Sequence, residues 1–448
     1  MTQSLVASAA DNLGPARAQM ALSLGWHIIL ACIGVGFPVL ILVAEWRGMR
    51  GDQDSMRLAR QWSKAAGVLF AVGAVSGTIL SFEMGVLWPG LMGTFGSVFG
   101  LPFALEGFAF FAEAIFIGIY LYGWDRLSPR AHFASGIPIA VAGVASAFFV
   151  VTANAWMNDP QGFTLIDGRL TNPHPFSAMF NPATPVETTH MILAAFMVTG
   201  FAVASVYALA MLRGRRDHYH RVGLLLPLVI AAALTPAQIV VGDLAARYVA
   251  DRQPVKLAAM EGITHAEQGA GEHVGGVVID GQLRFAITIP HLLAYLAKGD
   301  SSAVVEGLDS VAAADQPQAV NLIHLAFDAM VGIGFLLLGL GGWLLASWAR
   351  HRRTPTSMWF LRGVVVAGPA AVVAMECGWI TTEVGRQPWI VYRVMRTADA
   401  VNAAPGLAYG LLALIVLYTV LTVVSVLVLR GLARSPEATA APQGADAR

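Results

Sequence analysis

Inside long apolar runs of this 448-residue chain stand side chains that lipid does not accept without a reason: His27, Glu83, Glu106, Glu113, His190, Asp243 and Glu383, with the thioether of Met330. Ionisable groups within a spanning segment are costly and are functional candidates by default. Two imidazoles, a thioether and carboxylates in apolar surroundings form a donor set for metal or haem. A histidine–methionine pair suits a low-spin electron-transfer haem, and a five-coordinate iron needs one protein ligand and leaves a face open for oxygen. Zinc or copper on nitrogen and oxygen donors competes with that reading. No two candidate donors stand three or four residues apart, so there is no compact helical chelate. Glu106 and Glu113, seven apart in "PFALEGFAFFAEAIF", share one helix face and suit a carboxylate relay along it. Plainer readings compete at each position. A single histidine in a span is more often packing than ligand, and Met330 is one of sixteen methionines. His324 and Asp328 read as solvated interfacial groups. Trp26, Trp88, Trp156, Trp379 and Trp389 read as an interfacial belt. Cys32 and Cys377 read as packing.

The elements that must position these groups are membrane helices. The chain is 56% hydrophobic and 12% charged, and its mean hydropathy is +0.63; a soluble protein carries roughly 25% charged residues. Formal net charge is zero, so bulk electrostatics point to no nucleic-acid partner. The two cysteines form no C-x-x-C-H, which excludes covalent c-type haem, and no cysteine-based zinc or iron–sulfur site is feasible. The N-terminal stretch lacks the basic and apolar pattern of a cleaved signal peptide. Nine spans of about 20 apolar residues are predicted, at 18–45, 65–88, 101–124, 133–156, 187–212, 220–245, 322–348, 360–384 and 406–430. The expected fold is an all-α membrane protein. Arg/Lys clusters follow spans 1, 3, 5 and 7, which puts the N-terminus outside and the C-terminus in the cytoplasm. Arg386, Arg393 and Arg396 after span 8 break the alternation. Residues 1–245 carry spans 1–6 and 322–430 carry spans 7–9. The long connection 246–321 is external, with helical periodicity in "ITIPHLLAYLA", and 431–448 is expected to be a disordered cytoplasmic tail.

That topology places the odd polar residues at one depth. His27 lies nine residues into span 1, about 13 Å along a helix rising about 1.5 Å per residue. Glu106, Glu113, His190 and Met330 fall in the outer half of their spans, and Glu83, Asp243 and Glu383 near outer ends. The outer half of the bundle is built around something polar.

Four segments, "LEGFAFFAEAIFIGIYLYGWDRL" (105–127), "TANAWMNDP" (152–160), "KLAAMEG" (256–262) and "GWITTEVGRQPW" (378–389), together resemble subunit I of the cytochrome bd-type quinol oxidases. The likeness runs from about residue 16 to 430. It implies a nine-helix subunit with its N-terminus outside, in the bacterial inner membrane. His190 and Met330 match the axial ligands of a low-spin haem b; His27 matches the ligand of one high-spin haem and Glu383 that of the other, a second haem b and a haem d whose assignment stays open. Glu106 and Glu113 match acids beside the high-spin pair and on the proton route. Lys256 and Glu261 match quinol-binding residues of the external Q-loop, here of the short type. Trp379 and Arg386 match neighbours of the haems, Arg386 being suited to hold a propionate. Three features depart or vary. Asp328 stands where better-known members have an arginine, the acids in "EGFAFFAE" are one residue tighter than in some relatives, and the cyanide-insensitive branch includes members with haem b alone.

The activity so implied is terminal oxidation. Quinol (ubiquinol or menaquinol) is oxidised at the outer face with Glu261 as proton acceptor. Electrons pass through three haems, and oxygen is reduced to water with protons taken from the cytoplasm without pumping. Subunit II and a small single-helix subunit are the implied partners within the lipid bilayer. The alternative class is a proton- or cation-coupled transporter. It uses Glu106, Glu113 and Asp243 but leaves Met330 and the GRQPW motif unexplained.

Overall fold

The structure, a computed structural model, describes residues 2–433, with side chains from Asp11 onward. Among the described residues nine helices are long and apolar enough to cross a membrane. They are span 1 (Thr2–Met49), span 2 (Gln53–Leu87), span 3 (Pro89–Gly123), span 4 (Pro129–Asn158), span 5 (Thr184–Leu212), span 6 (His218–Arg252), span 7 (Val320–His351), span 8 (Met358–Gly385) and span 9 (Leu407–Ala433). Each outruns its hydropathy window, because hydropathy detects the lipid-facing centre and not the polar turns beyond it. The starts differ most: Thr2 rather than 18 for span 1, Gln53 rather than 65 for span 2 and Pro89 rather than 101 for span 3. The tail expected to be disordered begins inside span 9, and its residues 434–448 lie outside the described residues.

The two ends of the bundle are built differently. At the short-loop end, spans 2, 4, 6 and 8 each begin on a side-chain cap: Asp52, Ser128, Asp217 and Ser357 accept from the backbone N–H of Ser55, Ala131, His220 and Phe360. Such caps satisfy amide donors that a helix start leaves open, each stabilising by about 1 kcal/mol. At the other end, spans 3 and 5 start with a proline in the first turn and no side-chain cap, and the connections are long except for the single residue Trp88 between spans 2 and 3.

The largest of these connections has its own apolar core. Val255, Leu257, Ala258, Met260, Leu293 and Leu308 pack together with Ala250 of span 6, Ile323 of span 7 and Val384 of span 8. Three antiparallel hairpin-like pairings brace it: 267–268 with 304–305, Glu272–Val274 with Ile287–Ile289, and Val277–Ile279 with Gln282–Arg284. The predicted helix in "ITIPHLLAYLA" is confined to Leu292–Lys298. Ile287–Ile289 is a strand instead, and His291 between them takes a positive φ of 62°.

Within the membrane portion, span 5 packs on spans 1, 6 and 8, and span 7 packs on spans 6 and 8. Spans 6 and 8 therefore each touch both the His190 helix and the Met330 helix. Two expectations are corrected here. Trp88 and Trp156 are buried rather than belt residues; Trp156 stacks on Phe99 with ring centroids 4.9 Å apart and planes 6° from parallel. His324 is fully buried rather than solvated, because its two ring nitrogens reach the carbonyls of Met260 (2.7 Å) and Gly275 (2.9 Å) and fasten the long loop to span 7.

Candidate functional site

One cavity of about 630 Å³ is walled by His27, Glu106, Glu113, Trp379, Glu383 and Arg386 among others. That volume is within the roughly 300–1,000 Å³ of ligand and cofactor sites. Residues drawn from spans 1, 3 and 8 thus share one space, as their common depth in the sequence suggested.

The hydrogen bonds around His27 fix its tautomer. Ser76 Oγ donates to the carbonyl of Gly73 (2.9 Å), so it accepts from His27 Nδ1–H (2.8 Å). The lone pair is then on Nε2, the form in which an imidazole binds a metal, with its other nitrogen held by a neighbour. A methyl group at Gly77 would lie 3.0 Å from His27 Cε1, so this ring needs a glycine opposite it.

Glu383 sits at the end of span 8 with both oxygens engaged. Asn154 of span 4 donates to Oε1, and Arg386 donates to Oε2 at 2.5 Å. Arg386, expected to clamp an external carboxylate, is therefore first the partner of Glu383, because the two are one turn apart. It is nonetheless 2% exposed, and its Nε has no partner; nor has the buried Nε of Arg17 on the same cavity wall. Two unsatisfied guanidinium donors at one end of an apolar cavity suit carboxylate groups such as those of a haem.

His190 and Met330 lie outside this cavity's lining. His190 faces the amide of Gln238 on span 6, 3.2 Å from its Nε2, and stands against Gly242, where a methyl would come within 3.3 Å of Cε1. Met330 Sδ is 3.0 Å from where a methyl at Gly378 would be. Each of these three side chains therefore stands against a helix glycine that gives the side chain itself room.

Lys256 and Glu261 occupy the short buried helix Pro254–Glu261 of the long loop but face different surroundings. Lys256 Nζ donates to Asn158 Oδ1 at 2.9 Å, and Asn158 in turn donates to Glu187 Oε1 at 3.1 Å. Burial and the nearby Arg386 push the Lys256 amine down to about 7. Glu261 is 3% exposed, and its Oε2 has no partner. Burial, with Glu272 and Asp328 close by, raises its carboxyl well above the usual range. The same causes push Glu272 up to about 7. Asp328 accepts from the backbone N–H of Gly275 at 2.6 Å and so serves the loop. A second cavity, about 240 Å³, is lined by Lys256, Arg386, Gln387, Trp389, Tyr392 and Arg393.

Sequence reasoning missed Arg17, Ser76, Asn154, Glu187, Gln238 and Glu376. Glu187 and Glu376 carried a signal as acids within apolar spans, and Asn154 lay inside the quoted segment 152–160; Glu376 is a carboxyl with a buried, unpartnered Oε1.

A family model described as cytochrome bd terminal oxidase subunit I matches residues 15–436. The chain belongs to that family. The bd oxidase of Geobacillus thermodenitrificans superposes with a TM-score of 0.87 at 38% identity, over 95% of this chain and 98% of that one. A Bacillus subtilis relative provisionally named cytochrome bd menaquinol oxidase subunit I is 36% identical over 94% of this chain and 96% of its own length. The cytochrome bd ubiquinol oxidase subunit 1 of the same species is 30% identical over 91% and 90%. Membership in the cytochrome bd family makes this a haem-binding, multi-pass bacterial membrane protein and a terminal oxidase subunit. Its designation as subunit I implies a subunit II beside it. The transporter alternative falls with that membership.

Proposed function

We propose that this chain oxidises quinol at its long-loop face and reduces oxygen to water in the 630 Å³ cavity. The observation that carries the reading is the cavity itself. It joins a histidine with a free Nε2 lone pair, a carboxylate ligand candidate and two unsatisfied guanidinium groups. His27 and Glu383 would hold the two high-spin haems, and His190 with Met330 the low-spin haem b. When bound, the haems supply the electron relay and the oxygen-reducing iron. Arg386 and Arg17 have donors to spare for propionates, and Trp379 walls the same space.

The basic clusters at the short-loop end favour an orientation with the N-terminus and the long loop outside. In that orientation the quinol headgroup fits the 240 Å³ cavity against Lys256. Glu261, on the same short helix as Lys256 but outside that cavity's lining, would take up a quinol proton with Glu272 close by; burial raises both carboxyls, which favours holding a proton. Glu113 and Glu106, on one face of span 3, hand protons from the cytoplasmic side toward the cavity. Consumption of protons from one face and release at the other generates potential without a pump.

The test is a reduced-minus-oxidised absorption spectrum of the purified complex, with and without carbon monoxide, beside quinol-driven oxygen uptake. Haem b bands, a carbon monoxide response and oxygen uptake are expected. A red-shifted chlorin band would add haem d, and its absence would leave haem b alone. Folded protein that carries haem but takes up no oxygen with quinol would overturn the proposal.

A further inference from the structure

At the short-loop end, Glu45, His132 and Tyr120 meet from spans 1, 4 and 3, each no more than 4% exposed. His132 Nε2 stands 3.0 Å from the carbonyl of Tyr120, which only accepts, so Nε2 carries a hydrogen. Nδ1 lies 2.7 Å from Glu45 Oε1, and that contact needs one hydrogen between the two atoms. The pair is therefore glutamic acid with neutral imidazole, or glutamate with imidazolium. Both forms are neutral overall and differ by one proton hop, which lightens the cost of burying them. The Tyr120 hydroxyl donates to the other Glu45 oxygen at 2.5 Å.

We propose that Glu45, His132 and Tyr120 are the proton intake of this chain and feed Glu113 and then Glu106. The proposal rests on the oxygen-reducing function proposed above. A simple latch between three helices would account for the hydrogen bonds, but not for what lies above them. Glu106, Glu113 and Tyr120 recur every seven residues and so share one face of span 3. The large cavity, with Glu113 in its wall, reaches down to Ile117 and Pro38, within about one turn of Tyr120. Pro38 has no N–H, so the carbonyl of Gly34 lacks its helical partner. That carbonyl and Glu113 Oε1 border the same space: a methyl at Gly143 would lie 3.2 Å from the first and 3.7 Å from the second. The step from Tyr120 to Glu113 spans seven residues, roughly 10 Å, and requires a short water chain, for which the freed carbonyl is an acceptor. On the other side, residues 125–131 are exposed, directly outside His132.

The transfer balances when it starts with the shared proton on Glu45, which leaves Nδ1 of His132 with a lone pair. The ring turns off the Tyr120 carbonyl, takes a proton from outside on that nitrogen and turns back as imidazolium. The carboxyl of Glu45 and the Tyr120 hydroxyl reorient, Glu45 gives its proton to the Tyr120 oxygen as the hydroxyl releases its own inward, and glutamate with imidazolium remains, one proton hop from the start.

The experiment uses the purified haem-loaded complex in liposomes, with a short-chain quinol as reductant. Glu45→Gln, His132→Phe and Tyr120→Phe are compared with wild type and Glu113→Gln. Anaerobic haem reduction by quinol should be unchanged in all of them. Oxygen consumption in the triad variants should fall at least roughly tenfold, the low side of what positioned proton-transfer groups contribute, with an increased solvent deuterium isotope effect. Tyr120→Phe removes one hydroxyl and keeps the ring against His132 and Trp124, so it decides the matter even if the other two fail to assemble. A wild-type oxygen rate and isotope effect in Tyr120→Phe, with Glu113→Gln slow, would overturn the proposal alone. Equal slowing of haem reduction and oxygen consumption would make the triad a latch and also overturn it. Wild-type enzyme inactive with quinol, or Glu113→Gln at full rate, would instead sink the underlying function.

Discussion

Replacing Gly378 by alanine tests the low-spin site through a residue that is not itself a ligand. The added methyl would lie 3.0 Å from Met330 Sδ. Non-bonded heavy atoms settle at about 3.5–4.0 Å, so the sulfur must retreat by roughly 0.5–1 Å. Metal–ligand distances tolerate about 0.2 Å; the displacement exceeds that severalfold. The fold, by contrast, should yield easily. Methionine is an adaptable side chain, overpacking costs about 1–3 kcal/mol, and alanine regains roughly 0.5–1 kcal/mol over glycine inside a helix. The variant should assemble with its full haem complement and a melting temperature close to wild type. The haem proposed to sit on His190 and Met330 should lose its low-spin signature and begin to bind carbon monoxide, the outcome also expected of Met330→Leu. Gly342→Ala, where a methyl meets nothing within 4 Å, is the control. A Gly378→Ala enzyme with an unchanged low-spin spectrum and no new carbon monoxide binding would refute the assignment of Met330.

Glu106→Ala should impair oxygen reduction far more than haem reduction by quinol, measured by stopped-flow under anaerobic and aerobic conditions; equal loss of both would remove it from the proton route. Lys256 is held at about 7 in the fold against 10.5 in the unfolded chain, so the unfolded state binds the extra proton between those values and stability rises with pH across that window. Lys256→Met should flatten that rise in thermal-melt series and raise the KM for quinol; an unchanged KM would displace quinol from the smaller cavity. Gly200→Ala would bring a methyl 2.7 Å from Ala231 Cβ and 2.8 Å from the Pro227 carbonyl, where neither side can yield. It should destabilise the pairing of spans 5 and 6 by about 1–3 kcal/mol, read as a lower melting temperature.

Much of this was legible in the sequence because lipid penalises polarity. The spans, His27, Glu106, Glu113 and Glu383 stand out against apolar runs, and their shared depth foretold a shared cavity. What could not be read is what crosses between helices. Ser76, Asn154 and Gln238 are neutral groups that any span tolerates, and nothing in one sequence says that they face His27, Glu383 and His190. Burial of tryptophan was misjudged for a related reason. The belt rule concerns position along the membrane normal, whereas Trp156 is covered by Phe95 and Phe99 from a neighbouring helix. His324 was misjudged because its partners are carbonyls of a loop fifty to sixty residues away.

The packed core of the long loop has a kinetic corollary. Its apolar side chains are continuous with spans 6, 7 and 8, Lys298 holds the carbonyl of Ala250 and the carboxylate of Asp251, and His324 fastens its middle. Such a loop is a fixed roof rather than a hinged door, since lifting it would expose that core and break those bonds together. A long-tailed substrate bound for Lys256 would then slide in sideways from the membrane. Its exchange rate would follow lipid viscosity and tail length, and not the opening of the protein above it.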